Sequence, residues 1–263
     1  ILHTIKQNDP SNSTTIKTVY NVLSRHKKMD RAGRSQIQYL LSKLKDKNYF
    51  EWHRNTLDGS DVITDIFWAH PTSIDLLRTF PHLLVMDCTY KTNKYRMPLL
   101  EIVGVTSTNQ TFCVAIAYLV SERQNYYLWA LNLLQLVMID CDVEMPSVIV
   151  TDREIALINA INIVFPQAAH ILCTWHIEKN ILAFIQRRVT GMKKEGKKQF
   201  FQDWTNLCES GNIEQYNNNL QDLQFKYGEY PKLIKYIIEN WLETWKDRFV
   251  RAWIDNFMHF GNY

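Results

Sequence analysis

Leu83-Leu84-Val85-Met86-Asp87 and Val148-Ile149-Val150-Thr151-Asp152 decide how this chain is read. Each is a short strand-like run closed by an aspartate. A carboxylate leaving the end of a buried strand points into the crevice where α/β sheets bind ligands. Two such carboxylates can hold divalent metal ions in an oxygen-ligand site suited to phosphoryl transfer. One alone carries little weight, because strand ends and turns often use Asp for local hydrogen bonds. The pair, with its surroundings, shifts the balance toward chemistry.

Outward from these runs, 263 residues suffice for one large domain or two small ones with an ample apolar core. No apolar stretch approaches the span of a membrane helix, and no signal peptide opens the chain. With a start at Ile1 rather than Met, the sequence is expected to be a piece of something longer. Five cysteines, at positions 88, 113, 141, 173 and 208, are odd in number and argue for reduced thiols over a disulfide framework. The net charge of +3 conceals an asymmetry. Residues 1–50 carry ten Lys/Arg against three Asp/Glu, residues 51–175 seven against thirteen, and residues 176–263 thirteen against eleven. A basic segment beside an acidic middle suits a metal site next to a polyanion-binding surface, and it equally suits a solvated helix face.

Residues 1–13 read as a loop or frayed terminus. A helix follows from a Ser13 or Thr14 cap, with Ile16, Val19, Tyr20 and Val22–Leu23 on one face, and a second near Ser35–Asp46. Tyr49–Arg54 and Val62–Trp68 flank Asp58-Gly59-Ser60, a hairpin signal. The strand candidates are then His82–Met86, Leu99–Thr106 and Thr111–Val120. A helix over about residues 122–139 opens on a Ser121/Gln124 capping box. Val148–Thr151, a helix stopping near Pro166, Ala169–Cys173 and a further helix complete the series. Three strands, a helix, a strand, a helix and a strand form the element order of the ribonuclease-H-like fold, in which the first and fourth strands adjoin. Asp87 and Asp152 are then expected to face one another. From Gly191 the chain turns helical, with Trp241, Trp245, Phe249 and Trp253 four residues apart. Aromatics can stack on unpaired bases, but this spacing more commonly marks a helix-packing core.

The runs Asp87-Cys88-Thr89-Tyr90-Lys91-Thr92-Asn93, Met97-Pro98-Leu99-Leu100 and Val103-Gly104-Val105-Thr106 resemble the transposase domain of Mutator-like elements. So do Val150-Thr151-Asp152-Arg153-Glu154, Val164-Phe165-Pro166 and Cys173-Thr174-Trp175-His176-Ile177. The resemblance covers about residues 60–190. It implies a ribonuclease-H-like α/β core, a mixed sheet with flanking helices, that cuts and joins DNA with three carboxylates and two Mg²⁺ (or Mn²⁺) ions. Asp87 matches the family's first acidic residue and Asp152 its second, as catalytic residues and metal ligands. The third is expected on a helix returning to the core beyond Tyr263, so the chain as given is expected to be inactive. Glu239 and Glu243 are weak substitutes. Glu122 is an accessory candidate, since ribonuclease H uses a carboxylate from the helix after its third strand; its bland alternative is a first-turn residue favoured by the helix dipole.

Cys173-x-x-His176 is at best half a zinc site, because a structural zinc needs about four ligands and no second pair of this kind appears. Both residues are kept as accessory candidates. No nucleophile-elbow pattern points to a hydrolase. The expected organisation is a basic N-terminal α+β unit (residues 1–75), an incomplete ribonuclease-H-like transposase core (76–190) and an all-helical insertion (191–263). The expected partners are DNA, as transposon ends and target duplex, with self-association left open and no membrane; the expected location is the nucleus. The rival reading is a domesticated, transposase-derived DNA-binding regulator without catalysis, like the far-red-response transcription factors of plants.

Overall fold

A computed structural model describes residues 2–9, 11–56 and 62–257. The chain divides into two compact units, Ile1–Glu51 and Trp52–Tyr263.

The first unit holds α1 (Leu2–Asn8), α2 (Ile16–Arg31) and α3 (Gln36–Asp46). Part of the segment expected as a loop is thus helical, although α1 buries no side chain. The cap of α2 is Thr15, one residue later than expected, with its hydroxyl accepting the Thr18 amide. At α3 the Ser35 hydroxyl accepts the Gln38 amide while the Gln38 side chain accepts the Ser35 amide, a reciprocal capping box.

Seven strands build one sheet: β1 (Phe50–Asn55), β2 (Ile63–Ala69), β3 (Leu83–Thr89), β4 (Leu99–Val105), β5 (Thr111–Tyr118), β6 (Val148–Thr151) and β7 (Ala169–Leu172), in the order β1-β2-β5-β4-β3-β6-β7. Short connections make β3, β4 and β5 an antiparallel meander, while β6 and β7 add in parallel beside β3. Helices supply the parallel connections, as crossovers require: α5 (Gln124–Asp140) precedes β6 and α6 (Ile155–Val164) precedes β7. Another helix, α4 (Pro71–Thr79), joins β2 to β3. The first and fourth strands of the expected core, β3 and β6, are neighbours. Strands β1 and β2, grouped by sequence with the N-terminal helices, extend this sheet through β2 and β5. The Asp58-Gly59-Ser60 turn signal between them lies outside the described residues.

An ion pair between a half-buried arginine and a buried carboxylate fixes that extension. Asp65 on β2 is 1% exposed, and its Oδ2 lies 2.9 Å from Arg54 Nη2 and 3.1 Å from Arg54 Nε. Thr64 donates its hydroxyl to the same oxygen, and Oδ1 accepts the Val120 amide at 3.0 Å. The Arg54 guanidinium lies over the Trp129 and Tyr126 rings of α5, 4.5 and 5.3 Å from their centroids.

Helix α5 begins later than the sequence suggests. Arg123 occupies the cap with no side-chain hydrogen bond, so the Ser121/Gln124 box does not form. The approach is held elsewhere, by Val120 on Asp65 and by Glu122 on the Tyr90 hydroxyl.

Gly104 on β4 faces Phe112 on β5 across the ladder. A Cβ there would run into the Phe112 ring, with Cε1 only 2.8 Å away. Gly104→Ala is therefore expected to cost about 1–3 kcal/mol in urea unfolding, as overpacking does. Adding Phe112→Leu should recover most of it; no recovery would contradict the ring as the cause.

Beyond β7 the described residues form helices: α7 (Thr174–Arg188), α8 (Lys194–Cys208), α9 (Ile213–Lys226) and α10 (Pro231–Ile237). A π turn (Ile238–Leu242), α11 (Glu243–Trp245), a 3₁₀ turn (Lys246–Arg248) and α12 (Arg251–Ile254) follow. The aromatic stripe is thus split among several short elements. It still serves as core. Trp241 and Phe249 are buried with Ile177, Ile181, Phe200 and Trp204, and Trp245 and Trp253 pack against that cluster.

Candidate active site

Parallel pairing of β3 with β6 ends at Met86 beside Thr151. One residue further on each strand stand Asp87 and Asp152. Asp87 lies within β3, not beyond its end as expected, and still pairs with Glu101 on β4. Alternation along the strands places Asp87 on the face of Leu83 and Val85, and Asp152 on the face of Val148 and Val150. These four residues share one cluster with Ile171 and Ile254. The Cys173 amide donates to the Thr151 carbonyl at 2.8 Å, which extends the β6–β7 ladder by one step and brings Cys173 into the same row. Two carboxylates and a thiol therefore stand side by side at the ends of three neighbouring strands.

His176, in the first turn of α7, reaches over this row. Its Nε2 lies 3.7 Å from Asp87 Oδ1. The interaction with the Cys173 thiol, and then the charges of Asp87 and Asp152, outweigh burial and raise the imidazole's pKa above the ordinary histidine value. Burial pushes the Cys173 thiol up, but the contacts with His176 more than offset this and leave it below the usual cysteine value. His176 Nδ1 is buried without a partner of hydrogen-bond geometry.

Asp152 is the more enclosed acid. Burial raises its pKa, His176 opposes that, and Asp87 and Glu154 add to it. Its Oδ1 is buried and has no hydrogen-bond partner. Leaving a buried polar atom unpaired is costly, so one in a native fold calls for an explanation. Two carboxylates side by side, one with an orphaned oxygen, suit a hard divalent cation that keeps several waters. No group of three His, Cys, Asp or Glu side chains arranged to hold a metal occurs among the described residues.

Glu122 is not gathered into this row. It sits in the loop before α5, where its Oε2 accepts the Tyr90 hydroxyl at 2.6 Å, and its charge acts on Cys88 and Tyr127. Glu239 lies in the π turn and pairs with Lys235, while Glu243 opens α11.

Sequence reasoning missed a set of polar partners around Asp152. His170, buried in β7, bonds through Nε2 to the Thr151 hydroxyl (2.7 Å) and through Nδ1 to Arg248 Nη1 (2.6 Å). Arg153 donates to the Asn240 carbonyl at 2.5 Å and lies 4.0 Å from the centre of the Trp241 ring. The one available signal was a histidine inside the otherwise apolar run Ala169-His170-Ile171-Leu172; its partners are 19 and 78 residues away.

Burial, helped by the Arg248 charge, pushes the His170 pKa down to about 3. Its folded value thus lies below the unfolded one of about 6.5, and the unfolded chain takes up the proton first. The contribution to stability is full above about pH 6.5 and is lost as pH falls toward 3, by roughly a few kcal/mol. Denaturant unfolding from pH 7 to 4 should show a steeper loss for the parent chain than for His170→Gln. Equal slopes would contradict this.

A mixed sheet of this order with flanking helices, and paired carboxylates where β3 and β6 end, is consistent with the ribonuclease-H-like class. Residues 83–180, which hold Asp87, Asp152, Cys173 and His176, match the MULE transposase domain. Among curated proteins, the chain is similar to FAR1-RELATED SEQUENCE 5 of Arabidopsis thaliana, with 31% identity over 149 residues, covering 55% of this chain and 18% of that protein. It is 26% identical to FAR1-RELATED SEQUENCE 11 of the same plant over 81% of this chain and 31% of the relative. FAR-RED IMPAIRED RESPONSE 1 is 22% identical over 86% of this chain and 26% of its own length. The chain spans less than a third of the length of these relatives. No helix among the described residues is long and apolar enough to cross a membrane.

Proposed function

We propose that this chain carries two of the acidic groups of a metal-dependent DNA strand-cleavage and transfer site acting at transposon ends. The observation that carries the reading is the placement of Asp87 beside Asp152 with a buried, unpartnered Asp152 oxygen. Asp87 and Asp152 would hold the cations, two Mg²⁺ or Mn²⁺ ions. When bound, these supply activation of the attacking oxygen and charge neutralisation at the leaving one. The chain's own contribution is to fix the carboxylates on two hydrogen-bonded strands, and to keep water from Asp152 Oδ1. The third acid is proposed to come from outside these 263 residues. DNA as the polyanion is supported by the loop after β3, where Lys91, Lys94 and Arg96 are exposed. Asn93 stiffens that loop by accepting the Tyr95 and Met97 amides and donating to the Met97 carbonyl. Phosphate contacts of this kind make binding salt-sensitive. Work in the nucleus follows from such a substrate.

A second reading is a DNA-binding regulator derived from a transposase and no longer catalytic. It is favoured by the relatives named for far-red response. The full-length protein, incubated with transposon-end duplex and Mg²⁺, separates the two. Cleavage that chelation abolishes supports the first. Salt-sensitive binding without cleavage supports the second.

A further inference from the structure

We infer that Arg248 and Arg153 are positioning residues, through which the C-terminal helical segment sets the geometry of Asp152 from both sides. The inference rests on the reading of Asp152 as a site residue.

The first line of contact is a directed hydrogen-bond chain. An arginine can only donate, so Arg248 Nη1 fixes His170 Nδ1 as an acceptor and places the ring proton on Nε2. That proton points to Thr151 Oγ1, 2.7 Å away. The Thr151 hydroxyl, accepting from His170, has its own proton free to donate, and it does so to the Asp152 carbonyl at 2.6 Å. Thr151 is 1% and His170 9% exposed, so water does not substitute readily along this path. Neutral imidazole is the only state that serves it, since a doubly protonated ring would meet Arg248 with two donors.

The second line arrives one residue beyond Asp152. Arg153 Nη1 donates to the Asn240 carbonyl inside the π turn, and its guanidinium stacks on Trp241 of the same turn. π turns recur at functional positions because they depart from the α-helical hydrogen-bond ladder. Here the Glu243 amide reaches back five residues to the Ile238 carbonyl. Glu154 completes the loop, its amide donating to the Asp152 carboxylate and its own carboxylate capping α6 by accepting the Ala156 amide. Residues 151, 153 and 154 are therefore each tied down, and the Glu154 amide holds the Asp152 carboxylate in place while its Oδ1 is left without a partner.

The test uses the whole chain, labelled with ¹⁵N. The expected spectrum shows His170 as the Nε2–H tautomer. In Thr151→Val, the amides of residues 152–154 should exchange about tenfold faster, the loss of roughly one hydrogen bond, while α9 stays unchanged. Thr151→Ser should restore the parent rates. Arg248→Met should both mix the His170 tautomers and loosen the same amides. An Nδ1–H tautomer in the parent chain, or unchanged exchange in both Thr151→Val and Arg248→Met, overturns the inference. Mn²⁺ titration supplies an independent arm. Broadening at residues 87 and 152 that weakens in Arg248→Met supports positioning of a cation site. If the tautomer and exchange results hold but Mn²⁺ broadens nothing, the positioning stands and the metal-dependent reading of Asp152 fails.

Discussion

Asp87→Asn and Asp152→Asn, each placed in the full-length protein, are expected to lose Mg²⁺-dependent cleavage of transposon-end DNA by more than about a hundredfold. Groups that only hydrogen-bond to a metal's ligands already cost about 10–100-fold when removed, so a direct ligand should exceed that range. The two variants should differ in stability. Asp152 is half-buried beside Asp87 with one buried, orphaned oxygen, and its raised pKa means that the fold disfavours its charge. Neutral Asn at 152 is therefore expected to keep or increase the unfolding free energy, while Asp87→Asn, at a side chain 40% exposed, should change it little. Circular dichroism melts beside gel assays of cleavage would read both. Retained cleavage in Asp87→Asn would sink the assignment, and a collapsed melt in Asp152→Asn would show that its carboxylate is structural.

Arg54→Met is expected to destabilise the second unit by about 3–5 kcal/mol, because it strands the Asp65 carboxylate in the interior. Thr64 and Val120 would still donate to that carboxylate, but no cation would face it. The compensating variant makes the cause testable. Arg54→Met combined with Asp65→Asn removes the buried charge, keeps an acceptor for the Val120 amide, and should restore much of the loss. Urea unfolding of the parent, the single and the double variants gives the comparison. A single variant costing under about 1 kcal/mol would mean that the ion pair is incidental to the sheet.

The site's strands were legible because they are built from local, repetitive signals. Leu83–Met86 and Val148–Thr151 are apolar enough to be buried on both faces, and element order alone made them neighbours. Where the sequence misled, the determinant was a distant partner. Ser121 and Gln124 have the spacing of a capping box, yet Asp65 and Tyr90 hold the segment before α5 in another path. A turn signal at residues 58–60 suggested a hairpin but could not say that β2 would pair with β5. Glu122 was legible only as an accessory candidate by its place in the element order; that the Tyr90 hydroxyl donates to it depends on a residue 32 positions earlier. His170 was visible only as an oddity in an apolar run, because its meaning depends on an arginine 78 residues later.

The π turn at Ile238–Leu242 also holds one residue more than an α-helical turn would. Deleting a single residue there would let the segment close into regular α-helix with the side chains that follow kept in phase, because the wide turn is what absorbs the extra residue. The Asn240 carbonyl would return to the helical ladder and Arg153 would lose its acceptor, while Arg248 kept its place on His170. A residue gained or lost in the regular helix before the turn has no such slack, and would rotate the side chains beyond it by about 100°. This segment is therefore expected to tolerate a one-residue deletion inside the turn far better than one in α10.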